Sequence, residues 1–468
     1  LWTASASERL AFLRREARTV NPQFEIFANG ARPDAVDYVM NEGALVPELD
    51  WYRAQHRRDV TTYPGVVPGP DPVVVSNAFG YKYFHSTRQP DGFAYNIPYL
   101  QIPDGNHQNV DSALLNMAEA ATFGGGAGCD AAYLDYFYWI YTPDQARELR
   151  ATAKRFRAFV RAHARLYAGQ VAAADVGIAF HDLPFWEGSY GRDEFLRITD
   201  LAKALAGRGV LWDVLTANRV EDGTLSRLRV LVVQDVARIS IAEAEAVRRF
   251  LERGGLVLAA GIVADLDEWF RMRLPDPSLP WPPVGRPPRP VGFDARRDRP
   301  PPMDVAVGLG RLVYRPEPFD ADTVITIAEA HLGRTIRLVE GVSAAALDRL
   351  RINAWFDPDR NDLAVHLLNY DVLLGIPNGG RVRTLENVRV RVPLPAGMLA
   401  PVVTLHTPEA SEPCLSFAMP FTDAFATFTI PRLHIYSVAH IADVASAAVT
   451  ALDGALGGHV CTLGDTTS

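Results

Sequence analysis

The short strand-like segment Val36-Asp37-Tyr38-Val39-Met40 ends in Asn41-Glu42-Gly43, which puts a carboxylate at the end of a strand that needs no acid there. Gly43 frees the backbone to turn just past it. In arrays of parallel strands and helices, the loops at the C-terminal ends of the strands collect function. Glycoside hydrolysis needs such a carboxyl as acid, base or nucleophile. Glu42 is therefore the candidate catalytic residue; the plain alternative is a loop cap or an arginine partner. Other polar groups fall at what reads as the same edge. Asn29 closes the strand Phe24-Glu25-Ile26-Phe27-Ala28-Asn29, and Lys82 and His85 lie beyond the run Val73-Val74-Val75. Asp135 and Trp139 close a fourth strand that starts at Ala131 and carries Tyr136, Phe137 and Tyr138. A sugar suits this set, because aromatic faces stack on C–H-rich ring faces while carboxylates and amides bind hydroxyls. The structural alternatives are a helix cap for Asp135, a buried histidine for His85 and core packing for the aromatics.

The elements around these residues alternate. Ser7 to Thr19 is amphipathic, with Leu10, Leu13 and Ala17 on one face and Arg14, Arg15 and Arg18 on the other. The spacing of Leu114, Leu115, Ala118 and Ala121 predicts a helix over 109–123, stopped by Gly124-Gly125-Gly126. Thr142 as N-cap and Pro143 at the first helical position open another, over 143–167. Four strands alternating with helices predict parallel β/α units, with the run 72–77 as a buried parallel strand.

From 170 to 270 the pattern starts afresh as a small doubly wound α/β domain: strands near 175–180, 210–215, 229–234 and 256–260, helices over 192–207 and 242–253. An amidotransferase reading of this domain needs a cysteine nucleophile, and none lies between Cys129 and Cys414. It reads instead as structural or oligomer-forming, with His181-Asp182 and Trp186-Glu187 near enough in sequence to reach toward the first domain's mouth. Residues 275–302 are crowded with Pro and Arg and read as an extended insertion. The Gly308-Leu309-Gly310 turn precedes a strand, so it is no phosphate loop. Short alternating strands from 350 to 441 predict an antiparallel β-sandwich. The expected domains are 1–168, 169–340, 341–445 and a fraying tail, 446–468.

The 468 residues carry a net charge of −8, which argues against nucleic acid as a partner. No apolar run is long enough for a bilayer span, and the first residues carry no signal-peptide pattern, so a cytoplasmic place and no membrane partner are expected. Three scattered cysteines make neither a disulfide framework nor a four-cysteine zinc site. No metal and no cofactor is expected.

Four stretches carry a resemblance: Val36 to Glu42; Asn116-Met117-Ala118-Glu119-Ala120-Ala121-Thr122-Phe123-Gly124-Gly125-Gly126-Ala127; Arg248 to Val257; and Val365-His366-Leu367-Leu368-Asn369-Tyr370. Together with the order of parts, they resemble multidomain glycoside hydrolases of the family 42 β-galactosidase type and their α-L-fucosidase-like relatives. The resemblance implies an α/β chain: the last four strands of a (β/α)8 TIM barrel, a flavodoxin-like β-galactosidase trimerisation-type domain and a C-terminal antiparallel β-sandwich. It further implies a retaining, two-carboxylate glycosidase for a terminal sugar such as a β-galactoside or α-fucoside, and a homo-oligomer. Enzymes of that type place the acid/base after the fourth barrel strand and the nucleophile after the seventh. On this count Glu42 follows the sixth, and the loop after the seventh holds Lys82 and His85 but no glutamate. The fourth-strand carboxylate would fall upstream of Leu1, so the chain is expected to be part of a longer enzyme. The alternative is a carbohydrate-binding or assembly protein with a degenerate barrel and no turnover.

Overall fold

The computed structural model describes residues 2–24, 27–29, 38–41, 66–67, 73–74, 78–87, 93–96, 110–124, 142–167, 171–181, 192–221, 223–264, 301–373, 381–395, 397–398, 401–409, 415–418, 421–422 and 425–443. They fall into two compact units. One is built from 1–8, 174–205 and 210–336, the other from 9–173, 206–209 and 337–468. Residues 9–168 and 341–445 thus fall in one unit, and 1–8 in the other.

The chain opens with helix α1 (Trp2–Val20) and strands β1 (Phe27–Asn29) and β2 (Tyr38–Asn41), which pair in parallel. Strands β3 (Val66–Val67) and β4 (Val73–Val74) then pair with each other, antiparallel. This corrects the expectation of a buried parallel strand at 72–77: Val73 and Val74 lie in a two-stranded ribbon. After helix α2 (Ala78–Thr87), strand β5 (Phe93–Asn96) takes the parallel place beside β2, giving the order β1-β2-β5. Helix α3 (Val110–Phe123) ends at Gly124, whose φ of +88° a side chain would resist. In helix α4 (Pro143–Ala162) Thr142 and Gln145 form a reciprocal capping box, with Pro143 at the first helical position. Ala146, Leu149, Ala153 and Phe156 make its buried stripe. Strand β6 (Val171–Ala172) closes this part.

The smaller unit is a six-stranded sheet. Its strands are β7 (Val176–Ala179), β8 (Trp212–Leu215), β9 (Val230–Gln234), β10 (Leu256–Ala260), β11 (Met303–Val307) and β12 (Gly310–Arg315). The order is β11-β12-β10-β9-β7-β8, parallel throughout except at the β11–β12 hairpin. The parallel strands run 2-1-3-4-5, the flavodoxin-type winding. Helices α5 (Arg192–Ala206), α6 (Ala217–Glu221), α7 (Ile241–Glu252) and α8 (Ala321–Leu332) accompany it. β7, β9 and β10 are buried at every position, as central strands of a parallel sheet must be.

The rest of the larger unit begins with β13 (Val339–Glu340) and α9 (Ala344–Asp348), then β14 (Leu350–Asp357) and β15 (Asp362–Asn369). There follow β16 (Val372–Leu373), β17 (Arg381–Val382), β18 (Leu385–Pro393), β19 (Pro401–His406) and β20 (Leu415–Ala418). β21 (Phe421–Thr422), β22 (Phe425–Leu433) and β23 (Tyr436–Asp443) complete it. They form an antiparallel sheet of four, β13-β18-β22-β21, and one of six, β20-β19-β23-β15-β14-β6. In β18 the buried Val388, Val390 and Val392 alternate with more exposed neighbours, so that sheet has one wet face. All eight residues of β15 are buried, so the larger sheet is covered on both faces. Among the described residues no helix is long and apolar enough to cross a membrane.

Candidate functional site

The parallel sheet of the larger unit sets the candidate edge. Register pairs Asn29 with Met40, and Asn41 with Asn96. β2 and β5 therefore end level in Asn41 and Asn96, β1 ends one residue short of them in Asn29, and Glu42 is the next residue after β2. The C-terminal ends of parallel strands are where such arrays carry chemistry. Asn96 was missed in the sequence. Its signal was there: Phe93-Ala94-Tyr95-Asn96 repeats the aromatic-to-amide pattern of Phe27-Ala28-Asn29. Glu42, Asp135 and Trp139 lie outside the described residues.

Lys82 and His85 stand elsewhere. Both lie on α2, not on a loop. Lys82 is 1% exposed, with Nζ 5.8 Å from the centre of the Phe123 ring and 5.5 Å from that of Trp355. The ring of His85 is 4.6 Å from that of Trp355. A Cβ on Gly124 would come within 2.7 Å of the His85 ring, which is why glycine ends α3 there. The carbonyl of Thr122 accepts two buried side-chain donors from β14, Asn353 Nδ2 at 2.7 Å and Trp355 Nε1 at 2.8 Å. These bonds satisfy a carbonyl at the helix end that has no partner within the helix. Lys82 and His85 thus stand on a helix against Trp355; Glu42, with which they were expected to share a mouth, lies outside the described residues. The two side chains pack α2 and α3 onto the six-stranded antiparallel sheet.

The same sheet face carries a buried polar chain. His366 Nδ1 stands 2.7 Å from the Tyr436 hydroxyl, which is 2.7 Å from that of Tyr167. Burial holds the His366 imidazole down to about 3, and it pushes both phenols up. Beside them the rings of His163 and His406 lie 4.3 Å apart. Burial, then Arg165 and His440, bring His163 down to about 4. His406 is held well below its ordinary value by burial and by His163, His440 and Arg165. These rings are neutral at pH 7 and serve packing. Among the described residues no group of three or more His, Cys, Asp or Glu side chains is placed to hold a metal ion.

No family model matches the chain, and no curated protein matches it. Solved structures do. The β-galactosidase of Bacillus circulans sp. alkalophilus is similar over 94% of this chain and 67% of its own, with a TM-score of 0.58 and 12% identity. That of Rahnella sp. R3 is similar over 94% and 66%, with a TM-score of 0.53 and 13% identity. The α-L-fucosidase isoenzyme 2 of Paenibacillus thiaminolyticus is similar over 93% and 71%, also at 0.53 and 13%. The chain thus has a fold found in glycoside hydrolases and spans about two thirds of their length.

Proposed function

We propose that this chain is the C-terminal part of a glycoside hydrolase acting on the O-glycosidic bond of a terminal sugar, a β-galactoside or an α-fucoside. One observation carries the reading: the parallel strands β2 and β5 end level in Asn41 and Asn96, β1 closes one residue short in Asn29, and Glu42 is next after β2 in the chain. In this reading the sheet is a segment of a (β/α)8 barrel, and β13 to β23 form a sandwich behind it. Glu42 is the catalytic carboxyl, the asparagine amides bind sugar hydroxyls, and Asp135 and Trp139 complete the pocket. If the mechanism is retaining, the second carboxyl sits about 5–5.5 Å away. The flavodoxin-type unit joins copies into a homo-oligomer. In the protein that carries this chain, Glu42→Gln lowers turnover of an aryl β-galactoside or α-fucoside by at least a hundredfold and leaves the melting temperature unchanged. Undiminished turnover removes Glu42 from the mechanism.

A second reading has one observation in its favour: the described strand ends carry amides, which bind sugars without cleaving them. A carbohydrate-binding protein with a degenerate barrel shows saturable sugar affinity and no turnover at any pH.

A further inference from the structure

The flavodoxin-type sheet ends in an open edge. β11 bonds to β12 on one side, and no strand of the described residues lies on the other. Its Asp304, Val305 and Ala306 are exposed, as are Pro301 and Pro302 before it and Leu309 after it. Val305 and Leu309 are apolar, yet stand 36% and 82% exposed. The far end of the same sheet differs. There Trp212, Val214 and Leu215 of β8 are buried, so that end is covered.

The hairpin decides which backbone groups point outward. Arg311 N–H donates to the Gly255 carbonyl, on the β10 side of β12. It therefore makes no ladder bond to Ala306, its partner in the register, and Ala306 turns its own N–H and C=O away from β12. Bonding alternates along an antiparallel pair, so Asp304, opposite Val313, does the same. No hydrogen bond among the described residues takes up these outward groups. Such a row on an exposed strand is a template for pairing with another strand. The template is stiff: Gly308 in the turn has a φ of +60°, and a Cβ on it would stand 2.6 Å from Glu252 Cα at the end of α7.

The usual guards of a sheet edge are lysines, bulges, prolines and inward-pointing charges. β11 carries no lysine, and its register with β12 runs without a bulge. Proline stands only before its first residue, at 302. Its one charge, Asp304, is matched by Nε and Nη2 of Arg311 at 2.8 and 2.6 Å.

We propose that β11 pairs with β11 of a second copy of this chain, antiparallel, about a twofold axis at Val305. That register sets Asp304 opposite Ala306 of the other copy on both sides of the axis. Each such pair exchanges both its N–H···O bonds, which uses every outward group of the strand. An axis at Asp304 would set Ala306 against Pro302, which has no N–H, and one at Ala306 would set Asp304 against the turn at Gly308. With the axis at Val305, apolar meets apolar on one face: Val305 meets its own copy, Met303 meets Val307, and Leu309 falls level with Pro301. The contact rests on the reading of this unit as the one that joins copies, and names the surface. It is smaller than the about 20–30 residues a side of a standard interface, so the association is reversible and follows concentration.

The test is sedimentation velocity on the whole protein from about 1 to about 100 µM, which brackets a micromolar contact. The expected result is a mass that rises with concentration. Ala306→Pro removes an outward N–H and leaves the bonds to β12 intact. It raises the dissociation constant at least about tenfold, for one backbone hydrogen bond lost on each copy, at an unchanged melting temperature. Val305→Lys sets two ammonium groups on the axis and loosens the assembly as much. A chain that stays monomeric throughout overturns both the contact and the homo-oligomer reading. An assembly that neither variant loosens overturns the contact alone and leaves that reading standing. Turnover of a glycoside plays no part in the readout, so the hydrolase reading stands or falls separately.

Discussion

Acid should loosen the larger unit, and the structure sets how much. His366 and His163 are held in the fold at about 3 and about 4, against an ordinary value of 6.5. A depressed imidazole is neutral in the fold and takes up a proton on unfolding. Stability is therefore full above 6.5, falls as the pH drops through 6.5, and stops falling only near the folded values. Each pH unit below 6.5 costs about 1.4 kcal/mol per group. At pH 5, one and a half units down, each histidine has cost about 2 kcal/mol and the two together about 4. That figure depends on the unfolded value alone as long as both folded values lie well below 5. His406 adds in the same direction. His434, whose value is raised first by Asp111, acts in the opposite direction, but it is half exposed and solvent screens its pair. A total near 4 kcal/mol is a large share of the 5–15 kcal/mol typical of a domain. The assay is hydrogen exchange of the β15 and β23 amides at pH 7.5 and pH 5, corrected for intrinsic exchange. The expected opening free energy falls by about 4 kcal/mol. His163→Gln should halve that loss. A loss below about 1 kcal/mol, or one unchanged in His163→Gln, refutes the account of these rings as neutral packing groups.

Trp355→Phe should cost about 1 kcal/mol in urea unfolding, because Asn353 still satisfies the Thr122 carbonyl. Combined with Asn353→Ala, the loss should exceed the sum of the single changes by about 1–2 kcal/mol, since the carbonyl is then buried and unpaired; simple additivity counts against the shared acceptor. Gly124→Ala should lower stability by at least about 1 kcal/mol, from the positive φ and the His85 ring beside it, and a neutral result in thermal melting rejects that contact. Lys82→Met should leave the KM for an aryl glycoside unchanged, because Lys82 faces Trp355 and Phe123; a several-fold rise in KM returns it to the sugar site.

Much of the framework was legible in the residues. Thr142, Pro143 and Gln145 specify a helix start through contacts three residues apart, and α4 begins where they place it. The stripe of Leu114, Leu115, Ala118 and Ala121 marks α3 to within a residue, and Leu256 to Ala260 is a strand as read. In each case the deciding interactions lie within a turn or an element. Partners distant in sequence decided the rest. Two-residue β4 has the composition of a buried parallel strand, yet pairs with β3, because so short a segment takes the register its neighbours offer. Ala78 to Thr87, with a glycine and four aromatics, has weak helix propensity; burial of Tyr81 and Tyr83 overrides it. Lys82 stands against the ring of Trp355, 273 positions along the chain, and that contact exists only once the antiparallel sheet has folded over α2 and α3. The types and local spacing of residues determined which segments are helix or strand and that a carboxylate follows β2. Which side chains share an edge, and which disappear into an interface, is a property of non-local packing, and that packing exists only once the sheets have formed.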